Sequence, residues 1–327
     1  MTSTQNTPKL SIIVIGYKMA KQLVNTLYTL SEDYQQNVSA KDYEVIVVEN
    51  DSTDTLDATT ISKLPDNFRY YLRKELGVSP VPAINFGFEQ CYAPVVGLIL
   101  DGARMISPGV IYHTLQSQRL DGRVITIVPG YHLGDQEQHL SSSQQYNETK
   151  ENELLSSIDW RNNGYELFRV ASFSGANIRG YLQPMMECNC MFAPAECFQT
   201  IGYADSQFTL KGGGSVNLHI YRSLGMLPGS RLVVLPGEGS FHQYHGGVTT
   251  SSYAGLQAEL ATHKKQLHSL WNGQFHSLRR NPTLMGEISA QAQPFLTLST
   301  TFAEKRLQRF NSINQPAWPD DVALQTI

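Results

Sequence analysis

The sequence predicts an α/β fold in which a mainly parallel central sheet is flanked by helices. Apolar segments of strand length recur through the first hundred residues, and segments with helical spacing of apolar residues separate them. The segment 95–100 is almost continuously apolar and stops at Asp101. Continuous apolar runs are typical of strands covered on both faces, and the strand–helix alternation favours right-handed βαβ units.

The elements follow one another in a regular order. Strands are expected at residues 10–16, 43–49, 68–72, 95–100, 123–128, 187–194 and 232–235. Helices are expected at residues 18–30, 55–64, 82–91, from Pro194 and from about Gly214 to Leu224. The polar, Ser- and Gln-rich segment 133–157 predicts a long loop with a short helix. Because open α/β sheets bind ligands beyond the carboxyl ends of their strands, Asp101 is a candidate ligand-binding residue.

Four sequence motifs carry a resemblance to a known family. Residues 14–18 read VIGYK, residues 47–54 read VVENDSTD, Gly77 precedes AINFG at 83–87, and LDGA at 100–103 is followed by Ser-Pro-Gly at 107–109. In this order and spacing they resemble the nucleotide-sugar half of family 2 glycosyltransferases. The resemblance implies the GT-A fold, with a nucleoside-diphosphate sugar as the donor.

The resemblance also implies which residues bind the donor. It places Glu49 near the nucleobase, and the complete predicted donor set is Gly16, Tyr17, Glu49, Asn50, Asp51, Asn85, Asp101 and Gly102. An alternative reading of residues 50–52 is a plain turn and helix N-cap, since Asn, Asp and Ser are favoured there. Asn85 has the alternative of an ordinary helix-surface residue.

Asp101 is the predicted ligand of a divalent metal, Mn²⁺ or Mg²⁺. Such a cation stabilises the charge that develops on a departing diphosphate. The family usually presents Asp-x-Asp, but Ala103 replaces the second acid here, so either another ligand or a cation such as Arg104 must substitute. His242 and His245 are candidate metal ligands because imidazole suits a transition metal. His242 is preferred, although the sequence leaves the choice between them open.

The acceptor side departs from the family. Gly213 and Gly214 precede a helix whose N-terminus can accept an anion or sugar oxygens, and with Asn217 they form the predicted acceptor site. The acidic pair expected at this helix in inverting members is missing. Asp205 is the first choice of general base, followed by Glu187, with His219 also open; a retaining mechanism remains an alternative. The predicted catalytic residues are therefore Asp101, Asp205 and Glu187.

Composition sets the broader expectations. We predict a GT-A domain at residues 1–248, with a donor half at 8–110 and an acceptor half at 111–248, and a helical C-terminal extension at 249–327. The net charge of −4 argues against a nucleic-acid partner. The sequence has no apolar run long enough to span a membrane and a polar start, which predicts a cytoplasmic protein. Peripheral contact with the inner membrane face and a homodimer are left open. The four cysteines are expected to be free thiols.

These observations predict an enzyme of polysaccharide biosynthesis. It would move a sugar from a nucleoside diphosphate to a hydroxyl of a glycan or lipid-linked acceptor, by a metal-assisted and inverting reaction. The alternative is a catalytically degenerate module that binds sugar nucleotide or glycan. A nucleotidyltransferase ranks lower, because residues 16–18 lack a Gly-rich, basic phosphate loop.

Overall fold

The computed structural model describes residues 7–75, 77–136, 146–177, 180–183, 185, 188–245, 253–272, 278 and 280–313. Two sheets organise these residues. The main sheet has eight strands: β1 Leu10–Gly16, β2 Tyr43–Asn50, β3 Phe68–Arg73, β4 Val95–Ile99, β6 Arg123–Ile127, β9 Cys190–Pro194, β10 Ser230–Val234 and β12 Thr283–Leu284. The small sheet has four: β5 Arg104–Ile106, β7 Gly130–Leu133, β8 Ala171–Phe173 and β11 Ser240–His242.

The main sheet has the order β12-β10-β6-β9-β4-β1-β2-β3. All its neighbouring strands are parallel except β9, which runs antiparallel to β4 and β6. Every residue of β1 is buried, as expected of a strand covered on both faces. The prediction of a mainly parallel central sheet is therefore confirmed.

Helices cover both faces of this sheet. They are α1 Ala20–Thr29, α2 Ala58–Ile61, α3 Val81–Glu89, α4 Val110–Ser117, α5 Glu148–Ser156, α6 Ala195–Thr200, α7 Val216–Met226, α8 Tyr253–Leu270 and α9 Gln293–Ile313. Helix α1 begins later than the predicted residue 18, because Lys18 adopts a φ of 53°. Helix α2 is shorter than predicted, since Asp57 caps its first turn by accepting a hydrogen bond from Thr60 N.

The small sheet has the order β5-β11-β7-β8. It lies beyond β4 and β6 of the main sheet, because the chain continues from β4 into β5 and from β6 into β7. Its central strand β11 pairs antiparallel with β5 and parallel with β7. This sheet has no signal in the sequence, because strands of three or four residues have no detectable periodicity. The sheet brings residues that follow β4 next to the segment that follows β10.

The segment beyond residue 248 contributes more than helices. It contains α8 and α9, and its strand β12 pairs with β10 at the edge of the main sheet. The segment predicted as a helical extension therefore also adds a two-residue strand to the main sheet. Among the described helices, none combines the length and the apolar character that a bilayer crossing requires.

Candidate metal and donor site

Asp101 lies in the sharp turn that joins β4 to β5. Its Oδ1 atom accepts a hydrogen bond of 3.0 Å from Ala103 N, which leaves Oδ2 directed elsewhere. Gly102 N donates to Ile15 O of β1 at 2.7 Å, and a Cβ at Gly102 would lie 2.9 Å from that oxygen. This close approach requires glycine. The turn is therefore fixed against the carboxyl end of β1, beside the predicted donor site.

Two histidines meet the free oxygen of Asp101. Nε2 of His242 lies 2.8 Å from Asp101 Oδ2, and Nε2 of His245 lies 3.6 Å from it. The two Nε2 atoms are 3.2 Å apart. One ligand atom from each of the three residues thus falls within a cluster no wider than 4.8 Å.

The distances fit a bound cation. Metal–ligand bonds of about 2.1 Å place neighbouring ligand atoms roughly 3.0–3.5 Å apart in octahedral or tetrahedral geometry. The three observed separations span this range. Two imidazoles and one carboxylate on one side of a metal leave further coordination positions open. Imidazole ligands favour a transition metal over Mg²⁺.

The electrostatics of the three groups are coupled. Burial alone would raise the pKa of the Asp101 carboxyl, but His245 and His242 hold it well below its usual value. Burial lowers the pKa of His242 to about 4, so this imidazole is neutral at pH 7 and able to donate a lone pair. Burial also opposes protonation of His245, but Asp101 outweighs it and raises the pKa of this imidazole.

The position that usually carries the second acid of the motif is occupied by Ala103, which is fully buried. Its carbonyl accepts a hydrogen bond of 2.8 Å from Gln243 N. A carboxylate there would be buried in the protein interior. The histidine loop 242–245 supplies the neighbouring ligand atoms instead.

Hydrogen bonds to α1 fix the histidine loop. The Gln243 amide donates to Gln22 O at 3.0 Å and accepts from Asn25 Nδ2 at 2.9 Å. Gln22 Nε2 in turn donates to Tyr244 O at 2.8 Å. Residues between the two histidines are therefore tied to a helix of the donor half. These hydrogen bonds position the backbone between His242 and His245.

Two buried glutamates near this loop, Glu151 and Glu238, were not predicted as site residues from the sequence. Glu151 of α5 accepts a hydrogen bond of 2.7 Å from Tyr244 N, and burial raises its pKa to about 7. Glu238 is fully buried, and burial likewise raises its pKa to about 7. Isolated glutamates in polar segments carry no distinctive pattern. Glu238 could have been noticed in the sequence, because it lies in the glycine-rich stretch that leads to His242.

Glu238 connects the segment before β11 to the segment after β5. Its carboxylate accepts hydrogen bonds from Ser107 Oγ, from Gly109 N at 3.2 Å and from Tyr165 OH at 2.9 Å. These contacts join the Ser-Pro-Gly motif to the strand that carries His242. Glu238 therefore holds the two halves of the candidate metal site together.

The predicted nucleobase contact Glu49 is the penultimate residue of β2 and pairs with Gly16 of β1. Glu49 is fully buried, and its Oε2 accepts from Tyr70 OH at 2.6 Å and from Leu56 N at 3.1 Å. Burial raises the pKa of this carboxyl. Within the described residues, Glu49 Oε1 and Asn50 Oδ1 are buried without a hydrogen-bond partner. Two acceptor atoms are therefore available at the carboxyl end of β2.

The remaining donor candidates lie around this strand end. A Cβ at Gly16 would come within 3.0 Å of the Leu23 side chain, whereas Tyr17 is 45% exposed. Asp51 N donates to Arg73 O at 2.7 Å, so its backbone prolongs the pairing of β2 with β3. The residues predicted from the motifs thus share one edge of the sheet with Asp101.

Asn85 has a different environment from the one expected. Its amide donates to Ala204 O at 2.9 Å and accepts from Ala204 N at 3.0 Å. This pair of bonds fastens α3 to the turn that carries Asp205. Asn85 also borders a cavity of ≈ 340 Å³ together with Gly77, Pro82 and Phe208.

The predicted base Asp205 and the predicted acceptor contact Asn217 lie in different surroundings. Asp205 is half-buried and accepts hydrogen bonds from Gln207 N at 2.9 Å and Gln207 Nε2 at 3.3 Å. Asn217 donates to Asn189 Oδ1 at 2.9 Å, and Asn189 O accepts from Leu100 N at 3.1 Å, next to Asp101. Asn217 is therefore linked to the β4 end.

Gly213 and Gly214 lie in the turn before α7 with φ values of 82° and 57°, which favour glycine. His219 accepts a hydrogen bond of 2.9 Å from Trp271 Nε1, and burial lowers its pKa. This histidine is thus part of the packing between α7 and the C-terminal segment. Glu187, the other candidate base, lies outside the described residues.

Comparisons with known proteins identify the class. The family model for glycosyl transferase family 2 matches residues 11–183, more than half of the 327 residues. The chain therefore belongs to glycosyl transferase family 2, and it is a glycosyltransferase. No curated protein gives a significant match.

Two solved structures share the fold. The mannosyltransferase PcManGT from Pyrobaculum calidifontis, in complex with GDP-Man and Mn²⁺, matches with a TM-score of 0.51 and 13% identity, covering 98% of this chain and 79% of its own. S. aureus TarS 1–349, in complex with UDP-GlcNAc, matches with a TM-score of 0.50 and 12% identity, covering 94% and 76%. At such low identity they show the fold alone, and the predicted GT-A fold is confirmed.

Proposed function

We propose that the protein transfers a sugar from a nucleoside diphosphate to a hydroxyl group of a glycan or lipid-linked acceptor. The observation that carries this proposal is the convergence of Asp101 Oδ2 with the Nε2 atoms of His242 and His245 beside the carboxyl ends of β1 and β2. A divalent metal bound there, Mn²⁺ in preference to Mg²⁺, would supply Lewis-acid stabilisation of the departing diphosphate. The complex of a structural neighbour with GDP-Man and Mn²⁺ supports this choice.

The chain's own residues would perform the binding. Glu49 and Asn50 would accept hydrogen bonds from the nucleobase through their unpartnered oxygens. Gly16 and Gly102 allow the strand ends to pack closely against Leu23 and the Ile15 carbonyl, which would position the backbone at the donor site. Much of the rate enhancement would come from holding the anomeric carbon against the acceptor hydroxyl.

An inverting reaction needs a base on the acceptor side. Asp205 is the proposed base, because it is the predicted carboxylate that remains half-buried within the described residues. Gln207 holds both of its oxygens through hydrogen bonds. Asp205 would take the proton of the attacking hydroxyl, and Glu187 is the second choice. Gly213, Gly214 and Asn217 are the proposed contacts to the acceptor.

The experiment is a donor panel. Purified protein is incubated with UDP-, GDP- and dTDP-sugars, including UDP-GlcNAc and GDP-Man, with and without Mn²⁺, and nucleotide release is measured. Slow, Mn²⁺-dependent release from one nucleotide class is expected, and His242→Gln should abolish it. His268→Gln, at an exposed position of α8, is the matched control. Absence of both turnover and thermal stabilisation with every donor would contradict the proposal.

A further inference from the structure

The small sheet has an aromatic face and an opposite face, called the polar face here, that carries mostly polar residues and one buried apolar residue, Ile106. Directly opposite residues of neighbouring strands share a face of a sheet. One row of paired residues is aromatic or apolar: Met105, Phe241, Tyr131 and Phe173. Tyr131 stacks on both of its aromatic neighbours in this row, with centroid distances of 5.2 and 5.4 Å. This face packs into the protein core.

The adjacent row points to the opposite face and is polar. It consists of Arg104, His242, His132 and Ser172. His242 is a member of the candidate metal site, and the ring of His132 lies 5.3 Å from the ring of His242. His132 and Ser172 are half-buried. The polar row therefore extends across the small sheet, from the neighbourhood of the Asp101 cluster to Ser172 of β8.

Arg104 is the unusual residue of this row. Its side chain is buried, with 7% exposure, and among the described residues its Nε atom has no hydrogen-bond partner. No carboxylate of the described residues forms an ion pair with it. Burying a cation without a counter-charge is costly. The guanidinium is therefore suited to an anion that comes from outside the chain.

The direction of the Arg104 side chain indicates which substrate it faces, the sugar donor or the acceptor. A Cβ at Gly130 of β7 would lie 3.8 Å from Arg104 Nη1, so the guanidinium reaches from β5 across β11 to β7. Strand β7 continues from β6, on the side of β4 away from β1 and β2. Glu49 and Asn50, the proposed nucleobase contacts, lie at the end of β2. The guanidinium thus points away from the donor half.

Two hydroxyl groups on the same face also lack partners within the described residues. Ser240 lies two positions before His242 on β11 and has 1% exposure, and its Oγ is unpaired. Ser172 Oγ, in the polar row itself, is likewise buried and unpaired. Alternate residues of a strand share a face. The polar face therefore offers a guanidinium and two hydroxyls that no described side chain satisfies.

We propose that this polar face forms part of the acceptor site, in addition to the contacts from Gly213, Gly214 and Asn217 proposed above, and that Arg104 selects an acceptor carrying a phosphate or carboxylate group. This inference rests on the proposed function. The Arg fork matches the two oxygens of a carboxylate or phosphate, and Ser240 and Ser172 would donate to the same acceptor. With strands about 4.8 Å apart, the anionic group lies within roughly 5–10 Å of His242. The acceptor hydroxyl would thereby be placed beside the metal-bound donor.

The first test measures anion binding with the donor position filled. Protein saturated with Mn²⁺ and the nucleoside diphosphate of its active donor class is titrated calorimetrically with inorganic phosphate and with glucuronate. Both should bind the wild type. Arg104→Gln should weaken them at least 10-fold, Arg104→Lys should restore part of the affinity, and Arg119→Gln, at an exposed position, should leave it unchanged. Melting temperatures of all variants confirm that they fold.

The second test measures selectivity in the transfer reaction. Glucose, glucuronate and glucose 6-phosphate serve as acceptors that differ in charge. The wild type should show a kcat/KM at least 10-fold higher for the two charged sugars, and Arg104→Gln should bring all three within about 2-fold.

Three outcomes are informative. Equal phosphate and glucuronate affinities in wild type and Arg104→Gln would overturn the inference. It would also be overturned if Arg104→Gln weakened the nucleoside diphosphate instead, since Arg104 would then belong to the donor site. A failure of the proposed function is recognised separately, because wild-type protein would then release no nucleotide from any donor.

Discussion

Asp101 and His242 form the central pair of this molecule. Oδ2 of Asp101 lies 2.8 Å from Nε2 of His242, although one residue follows a main-sheet strand and the other ends a strand of the small sheet. His245 completes the cluster at 3.6 Å from the same oxygen. The arrangement offers three ligand atoms for a cation, although Ala103 stands where the sequence resemblance implies a second acid.

Asp101→Asn should remove metal binding while keeping the turn. The amide oxygen can still accept from Ala103 N, so the local hydrogen bond survives. We expect Mn²⁺ affinity to fall by more than about 10- to 100-fold, the loss typical even of outer-shell partners. Calorimetric Mn²⁺ titration measures this, and thermal melting of metal-free protein should change little. An unfolded variant would show that Asp101 serves the turn instead.

Metal removal should inactivate the enzyme, and Mn²⁺ should restore it better than Mg²⁺. The reason is the pair of imidazoles in the cluster, since Mg²⁺ prefers oxygen ligands. At a concentration 100 times its Kd, a bound metal should stabilise the fold by about 2.7 kcal/mol. Activity and melting temperature after chelation and readdition test this. Full activity with chelator present would contradict it.

Gly102→Ala should disturb the site through packing alone. The new Cβ would lie 2.9 Å from Ile15 O, a backbone atom that cannot move aside. We expect a loss of about 1–3 kcal/mol of folding free energy, typical of overpacking, together with weaker Mn²⁺ binding. Gly77→Ala is the control, because its Cβ would meet nothing closer than 4.0 Å. Equal unfolding free energies of the two variants would refute the close contact.

Glu238 should make stability fall as pH rises. Its pKa is raised from 4.5 in the unfolded chain to about 7 in the folded protein. Between pH 4.5 and pH 7 the folded state keeps the proton on Glu238, whereas the unfolded state releases it. The stabilisation that is fully present below pH 4.5 is therefore lost progressively as the pH rises to 7. At 1.36 kcal/mol per unit the loss is at most about 3 kcal/mol.

Denaturant unfolding at pH 5 and pH 8 measures this dependence. Glu238→Gln, which resembles the protonated acid, should flatten it by the same amount, whereas Glu153→Gln at an exposed position should not. An unchanged pH profile for Glu238→Gln would mean that this carboxyl titrates normally.

The parallel strands of the first hundred residues were predictable because their sequence signals are local. Buried parallel strands read as continuous apolar runs, and the turn at the end of each one places its residues at a shared edge. That reasoning placed Glu49, Asn50 and Asp101 together. The structure adds that Tyr70 and Leu56 hold one Glu49 oxygen, a contact between distant positions that no pattern reveals.

The small sheet could not be predicted from local patterns. Its strands have three or four residues, and β11 pairs with β5 and with β7 across more than a hundred positions. The sequence nevertheless identified His242 and His245, because two histidines among glycines are unusual. It did not find Glu151, Glu238 or the orientation of Arg104, which depend on tertiary packing.

Pulsed electron paramagnetic resonance of the Mn²⁺-loaded protein tests the central claim most directly. It detects nitrogen nuclei bound to Mn²⁺ without requiring a known substrate. We predict coupling to two histidine nitrogens in the wild type, coupling to one in His242→Gln and in His245→Gln, and no change in His268→Gln. A Mn²⁺ spectrum without nitrogen coupling would contradict the account.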